Sequence, residues 1–145
     1  MSHAVSSQLA SQSAGASQPR RRIMTTALWI VQGLLALLFL FAGSMKLIVP
    51  IEMLTAQTPL PLPGLFLRFI GTAEVAGALG LILPGLLHIR PGLTPLAACG
   101  LVIIMIGATV YTALSGDVAA ALMPLMVGLL CAAVAYSRRS YLTAT

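Results

Sequence analysis

Charge is the scarcest commodity in this chain. Of 145 residues only 3 are acidic and 8 are lysine or arginine, where a soluble domain is roughly a quarter charged. That shortage excludes a surface built to dissolve in water. Histidine is equally rare: His3 lies near the N-terminus and His88 between two apolar runs, so the apolar runs hold no axial ligand and a b-type haem is excluded. The two cysteines, Cys99 and Cys131, form no C-x-x-C, and their spacing signals neither a disulfide scaffold nor a redox dithiol. Aromatic residues make up only 6%. None interleaves with the basic residues, so the net charge of +5 does not point to nucleic acid.

What is present is hydrocarbon. The hydrophobic fraction is 59% and the mean hydropathy +1.00, the composition of an integral membrane protein. Four runs are long enough to cross a core of roughly 30 Å, at about residues 26–48, 65–84, 95–114 and 119–136. None alternates in the manner of a barrel strand. The expected fold is therefore an all-α integral membrane four-helix bundle over residues 25–137. Residues 1–19 are mostly Ser, Gln and Ala, with too few large apolar side chains to offset the entropy of ordering them. They predict a disordered cytoplasmic tail over 1–24, and 138–145 a second short tail. The first run is too long for a signal-peptide core and no A-x-A site follows it. It reads as an uncleaved span.

Punctuation separates the runs. Pro50 and the stretch TPLPLPG at 58–64 break the helix and favour an extended linker. Pro84-Gly85 is a stop, Thr94-Pro95 a start with Thr94 as N-cap, and Asp117 an N-cap for the fourth span. With four crossings the termini share one side. That side collects Arg20, Arg21, Arg22, Arg90, Arg138 and Arg139 and no acid, which the positive-inside rule assigns to the cytoplasm. Lys46, Arg68, Glu52, Glu74 and Asp117 lie in the opposite half. The expected location is the cell inner membrane.

Glu74 is the residue that calls for an explanation, because a charged group at mid-bilayer costs roughly 2.5–3.5 kcal/mol. Around it Gly71, Ala73, Ala76, Gly77, Ala78 and Gly80 let neighbouring backbones approach. One seam of the first span, Gln32, Ala36, Phe39, Gly43 and Lys46, has the 4-3-4-3 spacing that would pack against Gly71, Glu74, Ala78 and Leu81 of the second. Corresponding seams are Gly100, Ile104, Gly107 and Tyr111 in the third span, and Asp117, Ala121, Pro124, Gly128 and Cys131 in the fourth. Three partners for Glu74 are weighed. Counted from the ends of their spans, Lys46 is shallow and Glu74 about 14 Å deep, so that pair needs a bent lysine chain or a bridging water. Arg68, six residues before Glu74 on the same helix, lies about 120° away. Gln32 is a third donor. The candidate polar site is thus Glu74, Lys46, Arg68, Gln32 and Tyr111, with Tyr111, Asp117, Lys46 and Arg68 converging on the outer half of the bundle. No metal-ligand set and no catalytic constellation is present in the sequence.

The segments GSMKLIVP (43–50), RFIGTAEVAGALGLILP (68–84) and LTPLAACGLVIIMIGA (93–108), in this order and spacing, resemble the DoxX-like family of small four-helix bacterial membrane proteins. The resemblance covers about residues 27–136. It implies that Lys46, Arg68 and Glu74 are shared polar positions. Relatives often carry a histidine after the G-A of the third span, where this chain reads ATVYTAL with Tyr111 and Thr112. The family name is tied to a quinone-linked thiosulfate oxidoreductase subunit, so the cofactor that the resemblance implies is a quinone; the residues themselves name none. The expected function is a non-catalytic subunit or quinone-proximal partner of a membrane redox or stress-defence complex. Expected partners are the lipid bilayer and other membrane or redox proteins, with a homo-oligomer compatible and nucleic acid excluded. The alternatives are a small proton-coupled transporter, with Glu74 as its proton carrier, and a membrane assembly factor.

Overall fold

The computed structural model describes residues 2–141, and side chains within them except those of residues 2, 11–18 and 141. Five α-helices follow one another: α1 (Ser2–Ile48), α2 (Ile51–Ala56), α3 (Gly64–Leu86), α4 (Leu93–Leu114) and α5 (Val118–Arg138), with a 3-10 turn at Arg139–Tyr141. No strand occurs among the described residues. The segments Pro19–Ile48, Gly64–Leu86, Leu93–Leu114 and Val118–Arg138 are each long and apolar enough to cross a membrane. The shortest has 21 residues and spans about 32 Å at 1.5 Å per residue, which matches a hydrocarbon core.

The chain divides into two units, Met1–Val31 and Gln32–Thr145. In the first, the expected unstructured tail is helical from Ser2 onward, and Pro19 lies within the helix instead of ending it. The side chains of residues 3–10 and 19–27 are exposed, so burial does not account for this helix. Alanine and glutamine favour it intrinsically, and hydroxyls bond back to the preceding turn, as Ser7 to the Ala4 carbonyl at 2.9 Å and Thr26 to the Arg22 carbonyl at 3.0 Å. The part of the second expected tail beyond residue 141 lies outside the described residues.

In the second unit the helices alternate in direction and close neighbours are defined by glycine. A Cβ on Gly43 would stand 2.7 Å from the Gly71 carbonyl oxygen, and one on Gly71 would stand 2.8 Å from Lys46 Cβ. Here α1 and α3 touch backbone to backbone, as small-residue seams permit. The buried residues of α1 in this unit are Gln32, Leu35, Ala36, Phe39 and Gly43; those of α3 are Leu67, Gly71, Glu74, Ala78, Leu81 and Pro84. Both seams read from the sequence are the ones that meet. The α5 seam holds as well, with Ala121 and Cys131 buried and Pro124 and Gly128 half-buried, while Asp117 caps the helix by accepting from the Ala120 N–H at 2.9 Å.

The α4 seam does not hold. Gly100 and Gly107 are exposed, and a Cβ on either would meet nothing within 4 Å. The buried stripe lies elsewhere on the helix, at Thr94, Pro95, Ala98, Leu101 and Met105. The reason is complementarity at the glycines of the neighbouring helices, over which Leu101 and Met105 of α4 lie. A Cβ on Gly77 would clash at 2.6 Å with Leu101, and one on Gly128 of α5 would stand 3.1 Å from Met105. Thr94 is accordingly inside α4 and buried, and Gly92 is the N-cap. Cys99 is exposed and Cys131 buried.

The stop at Pro84-Gly85 falls two residues later, because α3 ends in a reversed turn that satisfies its carbonyls. After the last helical bond, Leu87 N–H to Leu83 O at 2.9 Å, Ile89 N–H bonds to Pro84 O at 3.1 Å, the 6→1 bond of a Schellman motif. His88 takes the left-handed position with φ 54°, a place that glycine ordinarily fills.

Candidate functional site

Among the described residues, the buried polar side chains of the second unit are few: Gln32, Glu74 and Thr94. Glu74 is the eleventh of 23 residues in α3, about 15 Å from the start of the helix. Its carboxylate is 4% exposed and accepts from Lys46 Nζ with both oxygens, at 2.8 Å to Oε2 and 3.1 Å to Oε1. The partner of Glu74 is therefore Lys46, by direct contact and without a bridging water. The depth mismatch that argued against this pair disappears because the helix ends are not level. Lys46 stands opposite Gly71, and the α1 end only two residues further on, so α3 begins roughly 7 Å farther out than α1 stops. From Gly71 to Glu74 the remaining drop is about 4.5 Å, within the length of a lysine side chain. Lys46 keeps 28% of its side chain exposed while its ammonium turns inward.

Arg68 and Tyr111 lie in the same half of the molecule but do not join the pair. Arg68 donates through Nη2 to the Val49 carbonyl at 3.0 Å, satisfying an acceptor just past the end of α1, where helix carbonyls lack partners and cations are favoured. Tyr111 makes two bonds to one residue of the proline-rich linker: its hydroxyl donates to Leu60 O at 2.8 Å and accepts from Leu60 N–H at 3.0 Å. A stretch that forms no regular backbone ladder is fastened in this way to α4.

Gln32 belongs to a different cluster. It is 1% exposed, donates through Nε2 to Leu81 O at 2.8 Å, and accepts at Oε1 from Arg138 Nη2 at 3.0 Å and Nε at 3.2 Å. This second knot ties α1, α3 and α5 at the end away from Lys46. Gln32 does not reach Glu74, as one of the sequence readings had it. The sequence marks Arg138 as more than a topology charge, because it continues the α5 seam four residues beyond Val134 and seven beyond Cys131, both buried.

These arrangements differ in what they can do chemically. Among the described residues no group of three or more His, Cys, Asp or Glu side chains is placed to hold a metal ion. A cleft of about 130 Å³ between α1 and α3 is lined by Ala36, Leu37, Leu40, Ala78, Leu79, Ile82 and Leu83. It offers only hydrocarbon and fits an alkyl chain, not a polar substrate. No buried side-chain nitrogen or oxygen lacks a partner among the described residues, so the polar groups cross-link helices and loops.

Four membrane-length helices, held together by glycine contacts and one buried ion pair, define a small multi-pass membrane protein. The DoxX-like family model matches residues 30–134, a stretch that contains the buried residues of all four spans and Gln32, Lys46, Arg68, Glu74 and Tyr111, but not Arg138. The chain belongs to the DoxX-like family. No curated protein and no solved structure matches it.

Proposed function

We propose that this chain is a non-catalytic subunit of the bacterial inner membrane, placed beside a quinone-linked redox or stress-defence complex with both termini in the cytoplasm. The observation that carries the reading is the Lys46–Glu74 pair. Both carboxylate oxygens are taken by one ammonium, and a carboxylate so engaged locks α1 to α3; it is not poised as a general acid or base, which must reach the atom it protonates. A proton-coupled transporter would need Glu74 to part from Lys46 and face each side of the membrane in turn. The lock argues for the subunit over the transporter. Many large apolar side chains of the four spans face outward, among them Phe41, Phe69, Ile103 and Leu122, and partner helices or lipid cover such faces in a membrane. The arginines at the shared end of the spans support the orientation.

Purification of the full chain in a mild detergent, with proteomic analysis of what accompanies it and solvent extraction for quinone, tests the proposal. Redox subunits and quinone should be recovered in fixed ratio to the chain, and liposomes holding the chain alone should carry no proton flux. A proton flux that Glu74→Gln abolishes would overturn the subunit reading in favour of transport.

A further inference from the structure

The end of α5 carries a planar cation held on an aromatic ring. The guanidinium carbon of Arg139 lies 4.0 Å from the centroid of the Tyr136 ring. Tyr136 is 64% exposed and Arg139 is exposed as well. Apart from this ring, the Arg139 side chain has no hydrogen-bond or ion-pair partner among the described residues. Stacking fixes the plane of a guanidinium but leaves its N–H edge open, and that edge matches the oxygens of a phosphate in pairs.

Two further observations say where this edge sits and what lies beneath it. Arg138, the last residue of the fourth membrane-length segment, turns the other way and bonds to buried Gln32. The final turn is thereby tied to α1 and the direction of Arg139 is set. Below Tyr136 on the same face, at alternating spacings of three and four, stand Ala133, Leu129, Met126 and Leu122, all exposed. This is an apolar lane, capped by a tyrosine at the level where aromatic residues meet headgroups and ending in an arginine. Its order from hydrocarbon to ring to cation is that of a glycerophospholipid from acyl chain to glycerol to phosphodiester.

We propose that this lane binds one anionic phospholipid, with the phosphodiester on the Arg139 guanidinium, the glycerol region against Tyr136, and an acyl chain along Ala133, Leu129 and Met126. Free phosphate shares the recognition chemistry, but it would leave the apolar lane without a role.

The test uses the full chain in detergent, with phosphatidylglycerol or phosphatidylcholine of identical acyl chains added. Retained lipid is counted by native mass spectrometry, and far-UV circular dichroism checks the fold of each variant. Wild type should retain phosphatidylglycerol in preference to phosphatidylcholine by about fivefold, the effect of one interfacial arginine on an anionic lipid. Arg139→Gln should erase that preference, and Arg139→Lys should restore part of it, since the charge returns without the stacked plane. Arg90→Gln removes the same charge from the loop before α4 and should leave the preference intact. Retention of the preference in Arg139→Gln, or an equal loss in Arg90→Gln, would overturn the site. Full displacement of phosphatidylglycerol by millimolar inorganic phosphate would also overturn it, by showing an anion site with no lipid in it.

Discussion

Substituting Lys46 by methionine, Glu74 by leucine, and both together measures what the central pair contributes. The two single variants should not be equal, because the partners are unequally buried. In Lys46→Met a carboxylate only 4% exposed is left without its cation, and removal of one partner from a buried pair costs about 3–5 kcal/mol. In Glu74→Leu the orphan is a lysine already 28% exposed, whose long stem lets the ammonium turn away from the core. That relief should hold the cost to about 1–3 kcal/mol, the penalty for one unsatisfied polar group. The double variant replaces the pair by side chains of similar volume and should lie within about 1.5 kcal/mol of wild type, since hydrophobic replacement of a buried ion pair is often neutral or stabilising. The assay is equilibrium unfolding in mixed micelles of rising dodecyl sulfate fraction, followed by circular dichroism. A double variant as unstable as Lys46→Met, or a Lys46→Met variant within about 1 kcal/mol of wild type, would refute the lock. Glu74→Gln adds a functional arm: the amide still accepts from Lys46, so the variant should fold and keep the in vivo phenotype. Loss of the phenotype in a folded Glu74→Gln protein would mean that the charge itself acts.

Three other perturbations follow from the packing. Gly43→Ala places a methyl group 2.7 Å from the Gly71 carbonyl oxygen and should destabilise by about 1–3 kcal/mol, whereas Gly107→Ala, with open space around it, should be neutral or slightly stabilising; dodecyl sulfate midpoints separate the two. Tyr111→Phe removes both bonds to Leu60, at about 1–3 kcal/mol, and should raise proteolytic nicking in the linker at residues 57–63; an unchanged cleavage rate would show that the hydroxyl does not hold that segment. Single cysteines replacing Ser6 or Ser140 should resist an impermeant thiol reagent in intact cells while one replacing Gln57 reacts, as the arginine asymmetry requires. Labelling at both termini with protection at Gln57 would reverse the orientation.

The sequence alone determined what solvent could decide. Uncharged runs of membrane length set the four spans, and the cost of placing a carboxylate in hydrocarbon marked Glu74 as interior before any neighbour was known. The α1 and α3 seams were legible for the same reason. Their polar and small residues recur at helical spacing, and in lipid such residues turn towards other helices. The tertiary structure decided everything that depends on how far one helix is shifted along or turned against another. Lys46 reaches Glu74 because α1 and α3 end at different levels, an offset fixed by the Gly43–Gly71 contact and not by the length of either helix. The face of α4 is set by what the neighbouring helices present: Leu101 lies over Gly77, so small residues that looked like an interface at Gly100 and Gly107 face outward. Gln32 with Arg138, and Tyr111 with Leu60, join residues 106 and 51 positions apart. Helical periodicity constrains only neighbours within a few turns, and the positions of these partners are set by the packing of the whole bundle.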